Sequence, residues 1–324
     1  MSSTESSEAA LAAVPVPPSG AGAGAGDGET VRTVALPGRT LTVRSRAEQA
    51  GGLPPALFVH GLGGSSSNWS ALMRLLADRV TCEALDLPGF GYSPPPDDGN
   101  YSIGGHARAV VRLLEASGRG PVHLFGNSLG GAVVTKVAAA RPDLVRTLTL
   151  ISPALPEVPP RRGAWPTALL GVPGATAVVT RATRDWSAER RTKQLLDLCY
   201  GDPSLVSEAS FAEHATEYER RLKLPYFWDA LTRSARGIVD AYTLGGQHNL
   251  WRQAERVLAP TLLVYGGRDK LISPRMAYRA ARTFRDARLL TLPDSGHVAM
   301  MEHPDAVERA FRELLDATDA RTDH

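Results

Sequence analysis

Three side chains far apart in the sequence have the types needed for nucleophilic catalysis. The segment Val122-His-Leu-Phe-Gly126-Asn-Ser128-Leu-Gly130-Gly131 carries the spacing Gly-x-Ser-x-Gly. Glycines two residues before and after a serine allow a sharp strand-to-helix turn. Such a turn strains the serine backbone, exposes its hydroxyl and aims the following N–H groups at an anion. A serine hydroxyl is a weak nucleophile until a base takes its proton, and the base must be oriented by an acid. Both partners occur downstream in the order Ser, Asp, His: Asp269 in Tyr265-Gly-Gly-Arg-Asp269, and His297 in Asp294-Ser-Gly296-His297. The expected chemistry is acyl transfer through a Ser128–His297–Asp269 triad.

The rival residues fit this role less well. A second position for the acid would follow the strand ending near Ile151, but Ser152-Pro153-Ala154 offers no carboxylate. The other histidines are His60, His106, His123, His214, His248, His303 and His324. No pair of histidines has the helical spacing of a zinc site, so no metal is expected, and the triad chemistry needs no cofactor. His123 falls inside a strand. Cys82 and Cys199 are too few for a disulfide framework and are expected to be buried free thiols.

Positioning such a triad requires alternating strands and helices. Val31–Leu36 and Thr40–Arg46 flank Pro37-Gly38 and predict a hairpin. Ala56–His60 is a continuous apolar run into a Gly-rich loop, the pattern of a buried parallel strand. Asn68 is placed to cap a helix through Ala77. Further strands are expected at 81–86, 122–125, 145–151, 261–265 and 289–292. Helices are expected after Ser102, over 129–140 and over 304–317. Strands and helices of these lengths imply right-handed crossovers and a mostly parallel sheet. Ser128, Asp269 and His297 all follow predicted strand ends, where catalytic groups gather in such sheets.

The alternation breaks between Pro153 and Ala259, where the pattern is helical with Pro and Gly interruptions. The expected organisation is therefore a tail at 1–28, a core at 29–152 and 260–318, a helical cap insertion at 153–259 and a short tail at 319–324. The insertion holds ten of the chain's 20 Phe, Trp and Tyr residues. About half of these are expected in its own core and the rest along an apolar cleft. Its arginines, among them Arg181, Arg184, Arg190 and Arg191, have the pattern of a solvated helix face.

With these blocks in hand, the chain resembles α/β-hydrolase-fold enzymes over roughly residues 31–317. The blocks are His60-Gly61-Leu62-Gly63, Asp86-Leu-Pro-Gly-Phe-Gly-Tyr-Ser93, Gly126–Gly131, Gly267-Arg-Asp269 and Gly296-His297. The resemblance implies an esterase- or lipase-like serine hydrolase whose oxyanion hole uses the backbone N–H groups of Leu62 and Leu129. It gives His60 a packing role and Asp86 and Ser93 the task of tying down their loop, while Trp69 is expected to pack under a helix. Gly126-Asn127-Ser128-Leu-Gly-Gly also resembles carbon–carbon hydrolases of meta-cleavage pathways. Those enzymes carry Gly-Pro-Gly after the oxyanion histidine and Trp after the catalytic one, where this chain has Leu62-Gly63-Gly64 and Val298. Ser-type haloperoxidases or perhydrolases share the triad, and a ligand receptor on the same fold is the reading from outside enzymology.

Composition narrows the partners. Thirty-six basic and 34 acidic residues give a net charge of +2, with 22% charged and 43% hydrophobic residues over 324 positions. Such a chain can bury a sizeable core. The balance provides no clustered basic footprint for nucleic acid, and no run approaches the 18 apolar residues of a membrane span. Residues 1–28 are almost entirely Ala, Gly, Ser, Pro and Val and predict a flexible tail. They contain no Lys or Arg, unlike a secretory signal, so a cytoplasmic location is expected. The expected partner is a small hydrophobic ester.

Overall fold

The computed structural model of the chain describes residues 28–46, 52–172, 174–243 and 245–322. The expected tail therefore lies, up to residue 27, outside the described residues, as does His324. Strands β1 (Glu29–Leu36) and β2 (Arg39–Arg46) form the predicted antiparallel hairpin, with Leu36 opposite Arg39 and Gly38 at φ +73° in the turn. The remaining strands are β3 (Pro55–Val59), β4 (Thr81–Asp86), β5 (Val122–Asn127), β6 (Val145–Ile151), β7 (Thr261–Gly266) and β8 (Ala287–Leu292). They complete an eight-stranded sheet in the order β1-β2-β4-β3-β5-β6-β7-β8, parallel from β4 to β8. Strands β5 and β7 are buried along their whole length, which explains why they are continuous apolar runs rather than alternating ones.

Helices cover both faces. On one side lie α1 (Ser70–Leu76) and, from the chain's end, α11 (Ala299–Glu302) and α12 (Pro304–Thr322); on the other lie α2 (Ile103–Ser117), α3 (Leu129–Ala140) and α10 (Arg275–Thr283). Under α1 the ring of Trp69 is fully buried, 5.3 Å from Phe58, which stacks on Phe125 at 4.3 Å. Trp69 thus takes the packing role expected of it. Helix α2 starts where Ser102 accepts the Gly105 N–H at 3.1 Å and stops at Gly118, which is left-handed.

Between β6 and β7 the described residues form helices only: α4 (Trp165–Leu170), α5 (Ala175–Ala182), α6 (Ala188–Cys199), α7 (Glu208–Leu222), α8 (Phe227–Thr243) and α9 (Leu250–Ala254), with short 3-10 turns. No helix among the described residues is long and apolar enough to cross a membrane.

Three local expectations need correction. Asn68 does not cap an α-helix. It sits in a 3-10 turn (Ser66–Trp69), where its Oδ1 accepts the Ser65 N–H at 3.0 Å, and α1 begins only at Ser70. Helix α12 continues to Thr322 rather than giving way to a tail at 319, because Asp319 pairs with Arg146 and Arg321 with Asp286. Helix α10 was not foreseen: its buried residues are Met276, Ala277 and Ala280, two of them small alanines set among Arg275, Arg279 and Arg282, so the sequence around it looks polar.

Candidate active site

The turn between β5 and α3 has the strain that its glycines foreshadow. Ser128 adopts φ 52°, ψ −117°, one of two non-glycine residues with positive φ among the described residues. A Cβ at Gly130 would meet Val59 O at 2.3 Å, and one at Gly126 would meet Gly130 O at 2.7 Å, so the elbow packs too closely for any side chain at either position. The strained residue is pinned on both sides: Ser128 N–H donates to Ile151 O at 3.1 Å, and Ser128 O accepts from Ala154 N–H at 2.9 Å. Such strain persists only where the surroundings over-determine it.

Asp269 lies on the loop after β7, fully buried. Its Oδ1 accepts the N–H groups of Leu271 (2.8 Å) and Ile272 (2.9 Å), leaving Oδ2 for His297 Nδ1 at 2.8 Å. Burial alone would raise the pKa of this carboxyl. The facing His297 and the hydrogen bonds outweigh it and hold Asp269 below the usual carboxylate range. An ionised Asp269 accepts the Nδ1–H of His297, an arrangement in which Nε2 can accept a proton. Ser128 and His297 line the same cavity.

His297 is held by its backbone as well as by Asp269. Its N–H donates to Cys199 O at 2.6 Å, and its carbonyl accepts Asn127 Nδ2 at 3.0 Å; the same amide also reaches Ile151 O at 3.0 Å. Glu302 accepts the N–H groups of Gly296 and Gly201, both at 2.8 Å, and so ties the histidine loop to the segment after α6. The positioning roles of Asn127 and Glu302 were not legible in the sequence, where Asn127 served only as a family likeness.

Gly61 packs against the elbow: a Cβ there would lie 3.1 Å from Ser128 Cβ. Leu62 therefore follows directly beside the serine and lines the cavity, while Leu129 opens α3, where its N–H has no acceptor within the helix. His60 beneath this loop is buried, with Nε2 accepting the Leu87 N–H at 3.0 Å and Nδ1 facing Gly61 O at 2.7 Å, which assigns the proton to Nδ1. Burial depresses its pKa to about 4, so it stays neutral. Asp86 Oδ1 accepts from Ser66 N–H at 2.6 Å and Oδ2 from Tyr92 N–H at 2.9 Å. Ser93 Oγ donates to Asp86 O at 2.7 Å. Both residues tie loops together, as expected.

The insertion reaches these loops through a cluster that sequence reasoning missed. Glu217 on α7 accepts from Arg220 and Arg221. Arg221 Nη1 donates to Gly63 O at 2.6 Å and Nη2 to Ser65 Oγ at 2.9 Å, while Arg220 Nη2 donates to Gly91 O at 2.9 Å with its guanidinium over Tyr92. The available signal was the i,i+3 and i,i+4 spacing of Glu217 to two adjacent arginines. Of the arginines expected on a solvated face, Arg181, Arg184 and Arg190 are exposed, but Arg191 is half-buried and donates to the carbonyls of Thr183 and Trp186.

The cavity over Ser128 measures about 630 Å³. Ala168, Leu196, Ile238, Val239, Leu271 and Ile272 supply apolar lining, while Ser65, Glu217 and Arg221 belong to the polar lining. Three insertion aromatics reach the cavity, Tyr200, Tyr218 and Tyr242, fewer than the half expected. Others serve packing instead: Trp251 is buried with Nε1 on Pro156 O at 2.9 Å. Both thiols are free; Cys82 is buried as expected, whereas Cys199 is only half-buried and lines the cavity, and desolvation pushes each up to about 12.

The alpha/beta hydrolase fold family matches the chain over residues 54–304. The chain is 30% identical, over 261 residues, to the dihydrolipoyllysine-residue acetyltransferase component of the acetoin cleaving system of Cupriavidus necator; the match covers 79% of this chain but only 62% of that protein. It is 26% identical to Lipase 1 of Psychrobacter immobilis, covering 81% and 78% of the two chains. It is also 27% identical, covering 84% and 88%, to the 2-hydroxy-6-oxo-6-(2'-aminophenyl)hexa-2,4-dienoic acid hydrolase of Metapseudomonas resinovorans. The likeness to the last two is nearly equal, so similarity alone does not select the bond that is cleaved.

Proposed function

The chain belongs to the alpha/beta hydrolase fold family, and from that premise we propose that it is a serine hydrolase that cleaves carboxylic esters of apolar acyl groups through an acyl-enzyme. The observation that carries this reading is the buried 2.8 Å contact of Asp269 with His297 on a cavity that also holds the strained Ser128. His297 Nε2 takes the Ser128 proton as Oγ attacks the ester carbonyl. The N–H groups of Leu62 and Leu129 stabilise the oxyanion, worth about 10²- to 10³-fold per donor. Collapse expels the alcohol, which receives the proton from His297. A water deprotonated by His297 then releases the acid and restores the serine. The helical insertion acts as a cap whose apolar residues receive the acyl group.

Ester cleavage is favoured over carbon–carbon cleavage by the state of the cavity's two arginines. A dienoate substrate brings a carboxylate that needs a free cationic partner. Of the two arginines that line the cavity, Arg44 is paired with Glu29 at 2.8 Å, and Arg221 already has Glu217, Gly63 O and Ser65 Oγ as partners. A panel of p-nitrophenyl esters of increasing acyl length, run beside a 2-hydroxy-6-oxo-dienoate, tests the reading. Turnover of short to medium esters with negligible bleaching of the dienoate is expected. Dienoate cleavage with kcat/KM above that of every ester would reverse the assignment.

A further inference from the structure

The first part of the insertion exposes an apolar and cationic surface that the active site does not use. Among the described residues, ten large apolar side chains are strongly exposed, and five of them fall within residues 158–178: Val158, Trp165, Leu169, Val172 and Val178. Their exposures run from 49% for Val172 to 80% for Val158. Trp165 and Leu169 stand four residues apart on one face of α4, and Val178 shares a face of α5 with Arg181. The 27 residues from 158 to 184 contain Arg161, Arg162, Arg181 and Arg184 and no Asp or Glu. Neither Arg162 nor Arg181, both exposed, has an ion pair among the described residues. Exposed Trp, Leu and Val side chains concentrated in one short segment, with unpaired arginines at either end, cost solubility, and such apolar exposure marks an interaction surface.

Helix α4 links this surface to the cavity. Ala164, Thr167 and Ala168 line the space over Ser128, while Trp165 and Leu169 of the same short segment face solvent. One turn of chain thus separates the reaction space from the exposed apolar face.

We propose that residues 158–184 dock the protein on an anionic lipid surface, with Trp165, Leu169 and Val178 in the interfacial layer and Arg162 and Arg181 on the headgroups. Trp at the headgroup level and arginines beside an apolar helical face are the chemistry of interfacial attachment. Charge also selects this occupant over a second copy of the chain. A symmetric pair would set the exposed Arg162 and Arg181 against their own copies, while the flanking carboxylates Glu157 and Asp185 are already paired with Arg275 and Arg184. Delivery of an apolar ester from that surface to Ser128 rests on the ester reading; the attachment itself does not.

The test is flotation of the full chain with vesicles of ether-linked lipids, which no esterase can hydrolyse: phosphatidylcholine alone, and phosphatidylcholine with phosphatidylglycerol. Binding to the anionic vesicles, weakened at high salt, is expected. The variant R162Q/R181Q should lower partitioning roughly 25-fold, about fivefold per arginine. The variant W165S/L169E should abolish it, with thermal stability and turnover of a water-soluble short ester unchanged. Absence of binding to anionic vesicles, or equal binding by both variants and wild type, would overturn the proposal. So would a dimer by light scattering that W165S/L169E dissociates. If no form turns over any ester while vesicle binding behaves as expected, the ester reading fails and the docking surface stands.

Discussion

The amide of Asn127 donates to the carbonyl of His297 at 3.0 Å and so joins the residue before Ser128 to the backbone of His297. The side chain is buried, and its second bond, to Ile151 O, fixes the amide plane against the end of β6. One side chain therefore ties the Ser128 turn to the His297 loop. Asn127→Ala should lower kcat roughly 10- to 100-fold with little change in KM, the usual cost of a small misplacement of reacting groups. Asn127→Asp, which keeps the shape but loses the donor, should be similarly impaired. Steady-state kinetics on a soluble ester decide; full activity in Asn127→Asp would remove the positioning role.

Asp269 supplies orientation and charge to His297. In Asp269→Asn the amide favours the wrong imidazole tautomer, and kcat should fall by about 10⁴-fold with the fold intact. The Ser152 hydroxyl, which also faces Asp269, cannot replace a carboxylate. Retention of more than a tenth of the wild-type kcat would mean that a different acid holds the base.

Arg221 bridges two groups of the loop that carries Leu62. Its planar fork spans both, whereas a lysine ammonium is a single point that cannot bridge them in the same way. Arg221→Lys should lower kcat about tenfold through a loosened oxyanion loop, while Arg220→Lys, whose partner is Gly91 O on the neighbouring loop, should cost less. Equal effects of the two variants on kcat would show that α7 serves only to hold the insertion in place.

Acid should unfold the protein through its buried histidines. Burial depresses His60 to about 4, His106 to about 3 and His123 to about 4, each from an ordinary value of 6.5. Between those limits the unfolded chain binds more protons than the folded one, so the stability these groups contribute is complete above about pH 6.5 and is lost as pH falls toward 4. The depressed Asp269 carboxyl adds a further loss below about pH 4. Tm should fall progressively from pH 6.5 to 4.5, and His123→Asn, at a site away from the cavity, should flatten that fall. A Tm constant over this range would contradict the burial argument.

What the sequence disclosed and what it withheld follow from the range of the interactions. The strand ends, the elbow and the buried β5 and β7 runs are local patterns of periodicity and glycine spacing, and the structure has them within two or three residues of the expected places. The approach of Asp269 to His297 was legible only because both follow strand ends on one rim of a parallel sheet. The bonds of Glu302 to Gly201, Arg221 to Gly63 and Asn127 to His297 join residues about 100 or more positions apart, and no periodicity signals such pairs. Helix α10 escaped notice because two of its three buried residues are alanines set among arginines, and the end of α12 because ion pairs rather than apolar residues hold it.

The nucleophile is the centre of the account, and covalent labelling tests it most directly. Purified protein treated with a fluorophosphonate should gain one adduct by intact mass, and peptide mapping should place it on Ser128. The Ser128→Ala variant should take up none and should lose about 10⁴- to 10⁶-fold in kcat on any ester turned over by wild type, with Tm unchanged. An adduct on another residue, or labelling and turnover that persist in Ser128→Ala, would contradict the assignment.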